Sequence, residues 1–475
     1  MALLKKEKTE KPQEKANDLG KDSIGKLLFK LAVPAILAQL INALYNIVDR
    51  MYIGHIPDVG KDALTGVGVT FPILMIISAF ACLIGMGGAP RVAIKLGEKK
   101  NDEAENILGN CFTALIAISV VLTVVFLFFG RDLLMAFGAS EKTIPYALTY
   151  MNIYVCGTFF VQMALGLNSF ISTQGFAKTA MYTVLIGAIA NIVLDPIFIF
   201  VFDMGVSGAA IATVISQAIS AIWVMKFLFS KKSKIRLRKK YFKPQAKMLL
   251  PVLALGISPF IMQSTESFVN IALNSSLKKF GGDDYVGAMT IIGSVMQFCM
   301  MPLSGLAMSA QPITSYNYGA KNIDRVKKTF KYLIITAVIF SVALWAAVMI
   351  VPQIFVKMFS SDEKLTEITV WAMRIFFAGI LMIGPQIACQ QTFVALGQAT
   401  KSLGLALLRK VVLLIPLVYI LPMFFANASG KLTGVFLAEP VADVLATTTT
   451  IIVFALSFNK ILNKQAHAQR VSKPD

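Results

Sequence analysis

The sequence predicts an all-α polytopic membrane protein with twelve transmembrane helices in two pseudo-symmetric six-helix bundles. Three observations support this fold class: the apolar composition, twelve long apolar stretches, and a repeat that relates the two halves. Of the 475 residues, 56% are hydrophobic and 15% are charged, and the mean hydropathy is +0.70. A water-soluble chain of this length cannot cover so much apolar surface.

Twelve apolar stretches are long enough to cross about 30 Å of hydrocarbon. In the first half they cover residues 27–54, 64–90, 106–129, 145–175, 179–202 and 206–229. In the second half they cover residues 249–278, 285–316, 326–351, 366–396, 401–424 and 432–458. Because an even number of spans returns the chain to its starting side, both termini are predicted to lie on one face.

Lysine and arginine are concentrated in the segments on that face. They crowd both tails, residues 230–248 and residues 317–325, whereas opposite loops such as 203–205 carry few positive charges. Cytoplasmic loops show this excess, so both termini are predicted to be cytoplasmic in a cell (inner or plasma) membrane protein. The same distribution accounts for the net charge of +19. It therefore predicts lipid surroundings and no nucleic-acid partner.

An internal repeat relates the two halves at an offset of 222 residues. The gapless matches include Pro90/Pro312, Gly97/Gly319, Gly157/Gly379 and Gly175/Gly397. Six spans per half give both halves the same topology, an arrangement found in alternating-access transporters. Duplicated membrane enzymes and channels also exist, so the repeat favours a carrier without excluding them.

The repeat also predicts where the domains lie. The expected divisions are a cytoplasmic tail at 1–26, an N-terminal bundle at 27–229, a basic cytoplasmic linker at 230–248, a C-terminal bundle at 249–458 and a tail at 459–475.

Polar residues form a stripe along the first and the seventh span. In the first span the stripe consists of Gln39, Asn42, Asn46 and Asp49, with Tyr45 on its edge. In the seventh span it consists of Gln263, Glu266, Asn270 and Asn274. Spacings of three and four place each set on one helical face. Lipid cannot satisfy these groups, so we expect both stripes to face a central cavity between the bundles.

A second intramembrane acid lies in the fifth span, where Asn191 and Asp195 are one turn apart. Neighbouring spans add Thr213 and Gln217 in the sixth and Gln162 and Asn168 in the fourth. Two carboxylates with amide and hydroxyl oxygens around them suit either a shared proton or a small cation such as Na⁺. The residues leave that choice open.

Other chemistry is poorly supported. His55 and His467 are the only histidines, and the five cysteines lie in apolar stretches without metal-ligand spacing. We therefore expect neither an enzyme nor a cofactor other than the coupling ion. Glu439 and Asp443 in the twelfth span favour a structural cluster over a site, and Arg374 is expected to pair with an acid.

These features together resemble the multidrug and toxic compound extrusion (MATE) exporters over about residues 25 to 458. The resemblance rests on Pro34 fifteen residues before Asp49, the VDRMYIG end of the first span, and the NIVLDP segment. The branch of staphylococcal and clostridial multidrug exporters is the most similar one.

The resemblance implies a V-shaped pair of bundles that rock between two states, with inflow of H⁺ or Na⁺ driving export of organic cations. The implied site for the proton or Na⁺ consists of Asp49, Asn191, Asp195 and Thr213, with Tyr45 and Asn168 nearby. The expected substrate cavity contains Gln39, Asn42, Asn46, Gln162, Gln217, Gln263, Glu266 and Asn270. Pro34 is the expected hinge of the first helix. In a second branch of the family the ion site uses one acid in the seventh span and one in the tenth. Glu266 matches the acid of the seventh span, but the only acid in the tenth span is Glu367, at its very end. The alternative function is a flippase for lipid-linked or other amphipathic substrates; in either case we expect a monomer.

Overall fold

The computed structural model describes residues 17–359 and 362–471, with side chains described as far as residue 465. The predicted tail residues 1–16 and 472–475 lie outside this part. Within it, eleven helices and one bent pair of helices are long and apolar enough to span a membrane. This result confirms the predicted all-α fold with twelve spans.

We number the spans α1 to α12. The first six are α1 Ile24–Gly54, α2 Gly60–Gly97, α3 Asn101–Ala136, α4 Ile144–Thr173, α5 Ala177–Val201 and α6 Gly205–Phe229. The second six are α7 Ala246–Gly281, α8 Asp283–Gly319, α9 Ile323–Ile350, α10 Glu363–Ala395, α11 Ala399–Phe424 and α12 Ala428–Val471. Short helices at Lys239–Tyr241 and Pro352–Lys357 connect spans. Several helices continue past the predicted spans because their polar end turns leave the apolar layer.

Span α4 is bent by 59° at Gly157, between Ile144–Cys156 and Thr158–Thr173. At this point α4 approaches α6 so closely that a side chain on Gly157 would overlap Val214. Just before the bend, the carbonyl of Val155 accepts a hydrogen bond from Thr123 Oγ1 of α3 at 3.0 Å. This bond gives the backbone acceptor a side-chain partner inside the membrane.

Helices of the two halves meet along α2 with α7 and α8, and along α1 with α8. The repeat-related glycines explain the contact. Gly97 packs on the carbonyl of Tyr316, and Gly319 packs on the carbonyl of Ile94, which is the repeat mate of Tyr316. This pseudo-twofold contact lies at the end of the fold where the chain begins. Toward the other ends of α1 and α7, the atoms nearest to Gly54 and Gly281 belong to the same half as each glycine. Asn46 and Glu266 are exposed on these two helices, and we call the space between them the cleft.

Residues that precede α1 strengthen the closed end. Asn17 Nδ2 donates to the carbonyl of Gly175 in the first half at 3.0 Å. Arg325 Nη2 in the second half donates to the carbonyls of Leu19 at 3.1 Å and Asp22 at 2.8 Å. The segment thus joins both halves.

Residues of the basic linker fold onto the first half. Arg238 Nε lies 2.8 Å from Glu105 Oε2 of α3, and Tyr241 donates to Asp102 at 2.9 Å. Ile235 and Leu237 are buried against the same half. This connection is therefore a packed element, although its charges still mark one face of the protein.

The close glycine contact gives a testable expectation. In the variant Gly97→Leu the new side chain overlaps backbone of α8, and overpacking of this kind costs about 1–3 kcal/mol. Export by a protein that must visit this closed state is expected to fall about tenfold. The measurement is efflux of a fluorescent cation from vesicles. Gly293→Leu is the matched control because nothing lies within 4 Å of a Cβ there; equal export by the two variants would contradict the expectation.

Candidate ion and substrate site

A cavity of about 440 Å³ lies between the two halves. The predicted residues that line it are Pro34, Gln39, Asn42, Tyr45, Asn168, Asn191, Thr213, Gln217 and Gln263. Methionines Met75, Met86, Met181 and Met308 add an apolar, deformable surface. The structure thus brings polar residues of α1, α4, α5, α6 and α7 to one space.

The enclosed cavity leaves out four residues that the sequence placed in it. Gln162 is buried, and its Nε2 donates to the carbonyl of Ile77 at 2.8 Å, so it satisfies backbone of α2. Asn46, Glu266 and Asn270 are exposed on α1 and α7, beyond Asn42 and Gln263 toward the open end. These three belong to the walls of the cleft.

Asp49 and Asp195 form a buried carboxylate pair beside the cavity. Their side chains approach closely enough to share a hydrogen bond. Only 8% of Asp49 and 0% of Asp195 is exposed. Asn191 Nδ2 donates to Asp195 Oδ1 at 3.0 Å and lies 3.5 Å from Thr213 Oγ1. The packing of α1, α5 and α6 against one another brings these four residues together.

Several oxygen atoms of this group have no hydrogen-bond partner among the described residues: Asp49 Oδ1, Asp195 Oδ2 and Asn191 Oδ1. Neither carboxylate makes an ion pair with a described Lys or Arg. Buried carboxylates without a counter-charge are costly unless a proton or a cation neutralises them. The free oxygens are hard ligands of the kind that suit Na⁺ as well as a proton. Among the described residues no three His, Cys, Asp or Glu side chains are placed so that they could hold a metal ion, so a bound Na⁺ would also need Asn191 and Thr213.

Tyr150 of α4 also belongs to this cluster, although the sequence reasoning missed it. It is 3% exposed, and it lies near Thr213 and Asp49. Its ring stacks on that of Tyr154 with the centroids 6.2 Å apart. A signal was present, since Tyr146, Tyr150 and Tyr154 recur at spacings of four.

Arg50, adjacent to Asp49, is exposed and points elsewhere. Its guanidinium lies over the ring of Phe71, 5.2 Å from the centroid, and it makes no ion pair with a described residue. The neighbouring charges therefore have separate environments, with the acid buried and the base at the surface.

The second half contains a mixed charge cluster that the sequence reasoning also missed. Arg409 of α11 bonds Asp443 at 2.7 Å and Glu439 at 3.2 Å, and the neighbouring Lys410 lies 2.9 Å from Glu266. The signal was two adjacent bases inside an apolar stretch. The expected ion pair of Arg374 was wrong, because this residue is exposed and has no ionic partner in the described chain.

Two similar six-helix halves around a polar cavity that opens at one end define a membrane transporter. The family model MatE matches residues 34–197 and 242–420. Because these matches cover most of the sequence, the chain belongs to the multidrug and toxic compound extrusion (MATE) family of transporters.

Curated relatives match nearly the whole length. The multidrug export protein MepA of Staphylococcus aureus (strain NCTC 8325 / PS 47) is 24% identical over 436 residues, covering 92% of this chain and 94% of that protein. MepA of Staphylococcus haemolyticus is 25% identical over 425 residues, covering 89% and 92%.

Solved structures share the fold. A MOP superfamily transporter from Pyrococcus furiosus, described as having a binding pocket of reverse polarity, matches with a TM-score of 0.86 and 24% identity over 94% of this chain and 99% of that one. An outward-facing MATE family multidrug resistance transporter gives the same TM-score, identity and coverage.

Proposed function

We propose that the protein is a secondary active antiporter that exports organic cations in exchange for H⁺ or Na⁺. The observation that carries the proposal is the buried Asp49/Asp195 pair, which forms no ion pair with a base among the described residues and adjoins a cavity built from both halves. Family membership and the similarity to staphylococcal multidrug export proteins support the same function. We place the protein in the cell membrane with both termini in the cytoplasm, following the basic loops.

In this proposal the described conformation is outward-facing, since its cleft opens away from the termini. Asp49 and Asp195 take up the coupling ion from outside and lose their net charge. The neutral pair no longer attracts a cation in the cavity, and α1 repacks near Pro34, which lines the cavity. After the halves rock, the ion leaves toward the cytoplasm and the freed carboxylates attract the next organic cation. Coupling requires only that ion and substrate differ in affinity between the two states.

The test is transport of ethidium by the purified full-length protein in proteoliposomes, with proton and Na⁺ gradients imposed separately. A gradient that drives H⁺ or Na⁺ across the membrane in the direction opposite to ethidium is expected to speed ethidium transport. Dissipating that gradient is expected to abolish the acceleration. Transport that ignores both gradients would overturn the antiporter proposal.

A further inference from the structure

Five charged side chains of α7, α11 and α12 meet in the second half: Glu266, Arg409, Lys410, Glu439 and Asp443. Arg409, Glu439 and Asp443 are deeply buried, with 14%, 7% and 3% of their side chains exposed. Arg409 forms ion pairs with both Glu439 and Asp443, so we assign it a structural role.

The pair of Lys410 and Glu266 is different because its two members have unlike environments. The lysine side chain is 8% exposed, whereas the glutamate side chain is 56% exposed on the wall of the cleft. The ammonium contacts only Oε2 of Glu266, and no other described residue hydrogen-bonds this carboxylate. A group in the cleft can therefore reach Glu266 from the side opposite to Lys410.

The other charges of the cluster indicate which group Lys410 can pair with when it no longer contacts Glu266. Lys410 lies near enough to Glu439 to act on its charge, although the two side chains form no ion pair with each other in this conformation. The two bases of α11 balance the two acids of α12, so Glu266 carries the one negative charge that remains for a ligand. Lys410 also sits in a π-helical turn at Leu408–Leu414, a wide and adjustable geometry that often occurs at functional sites.

We propose that Lys410 is a tethered competitor for Glu266: it neutralises this carboxylate while the cleft is empty, and the positive group of an organic cation displaces it. Displaced Lys410 turns toward Glu439, so no charge is left buried without a partner. A tethered ammonium acts at high local concentration and excludes a small inorganic cation. An organic cation competes because it also buries apolar surface in the cleft. Glu266 and Lys410 together therefore select bulky organic cations. This inference rests on the proposed function for its substrate class.

The experiment measures equilibrium binding of ethidium to the full-length protein in detergent, without any gradient. Lys410→Met is expected to bind ethidium about tenfold more tightly, and Glu266→Gln about tenfold more weakly. Once Glu266 has been replaced, removing Lys410 no longer frees a carboxylate, so the affinity of the double variant should equal that of Glu266→Gln within about twofold. Lys331→Met, at an exposed lysine of α9 without an ion pair, is the control and should bind as the wild type does.

Unchanged or weaker binding by Lys410→Met would overturn the inference, as would an equal gain from this change in the Glu266→Gln background. If Lys410→Met cannot be recovered folded, Lys410→Arg decides, because its guanidinium fork holds Glu266 more firmly. It is expected to bind ethidium about three- to tenfold more weakly, and unchanged or tighter binding would overturn the inference. If transport depends on an ion gradient but the binding results differ from those expected, only the competitor role of Lys410 is wrong. If transport does not depend on either gradient, the antiporter proposal is wrong, whatever the measured affinities are.

Discussion

Replacing either Asp49 or Asp195 with asparagine is expected to abolish ion-driven export while the protein remains folded. Asparagine preserves the shape of the side chain but can neither release a proton nor offer a full negative charge to Na⁺. Coupling free energies of a few kcal/mol correspond to a loss of transport of about a hundredfold. The measurement is gradient-driven ethidium transport in proteoliposomes, together with a thermal unfolding curve for each purified variant.

The control for this pair is Asp132→Asn, at an exposed acid near the end of α3 without an ionic partner in the described chain. This variant should transport at the wild-type rate. Undiminished transport by Asp49→Asn or Asp195→Asn would exclude the corresponding residue from the coupling site. A folded Asp49→Asn protein without gradient-driven transport would support the assignment most directly.

Removing the charge of Arg409 is expected to have the largest effect on stability. In Arg409→Met, both Glu439 and Asp443 lose the only described residue that ion-pairs with them. Breaking a buried ion pair on one side costs about 3–5 kcal/mol, because the other charge is left uncompensated. The free energy of unfolding in detergent micelles should fall by about that amount.

Two further variants separate this cause from lost packing. In the triple variant Arg409→Met, Glu439→Gln, Asp443→Asn no charge remains to be compensated, and most of the lost stability should return. Arg374→Met removes an exposed arginine without an ion pair, so it should change the stability by less than about 0.5 kcal/mol. Equal destabilisation by Arg409→Met and the triple variant would show that the guanidinium contributes packing instead of charge.

The two halves therefore treat their acids in opposite ways. Asp49 and Asp195 in the first half have no basic partner in the described chain, and they are free to exchange a proton or an ion. Glu266, Glu439 and Asp443 in the second half each form an ion pair with Arg409 or Lys410. At the offset of 224 to 225 residues that relates the polar stripes of α1 and α7, the residue that corresponds to Asp49 is Leu273 or Asn274, so the duplication has not preserved the acid. An asymmetric pair of similar bundles confines the proposed ion switch to one of them.

Much of this protein follows from the sequence, because the membrane imposes strong local rules. A span needs about twenty apolar residues, and a polar group inside it must face protein or water. The stripe from Gln39 to Asp49 and the Asn191 and Asp195 turn were therefore readable without coordinates. The repeat also marked Gly97 and Gly319, although only the structure showed that each packs on the carbonyl three residues before the other.

The contacts between helices that are distant along the chain could be learned only from the tertiary structure. Which helices touch depends on packing over hundreds of residues, and one chain's periodicity holds no information about it. The contact of Lys410 with Glu266, the position of Tyr150 beside Thr213, and the bend of α4 against α6 all arise in this way. The residue pattern specifies which groups must avoid lipid, because lipid cannot satisfy a polar side chain. The packing of the helices specifies which partner each group contacts. Among the described residues it places Asp49 and Asp195 next to each other, Asn191 and the cavity, without a basic partner.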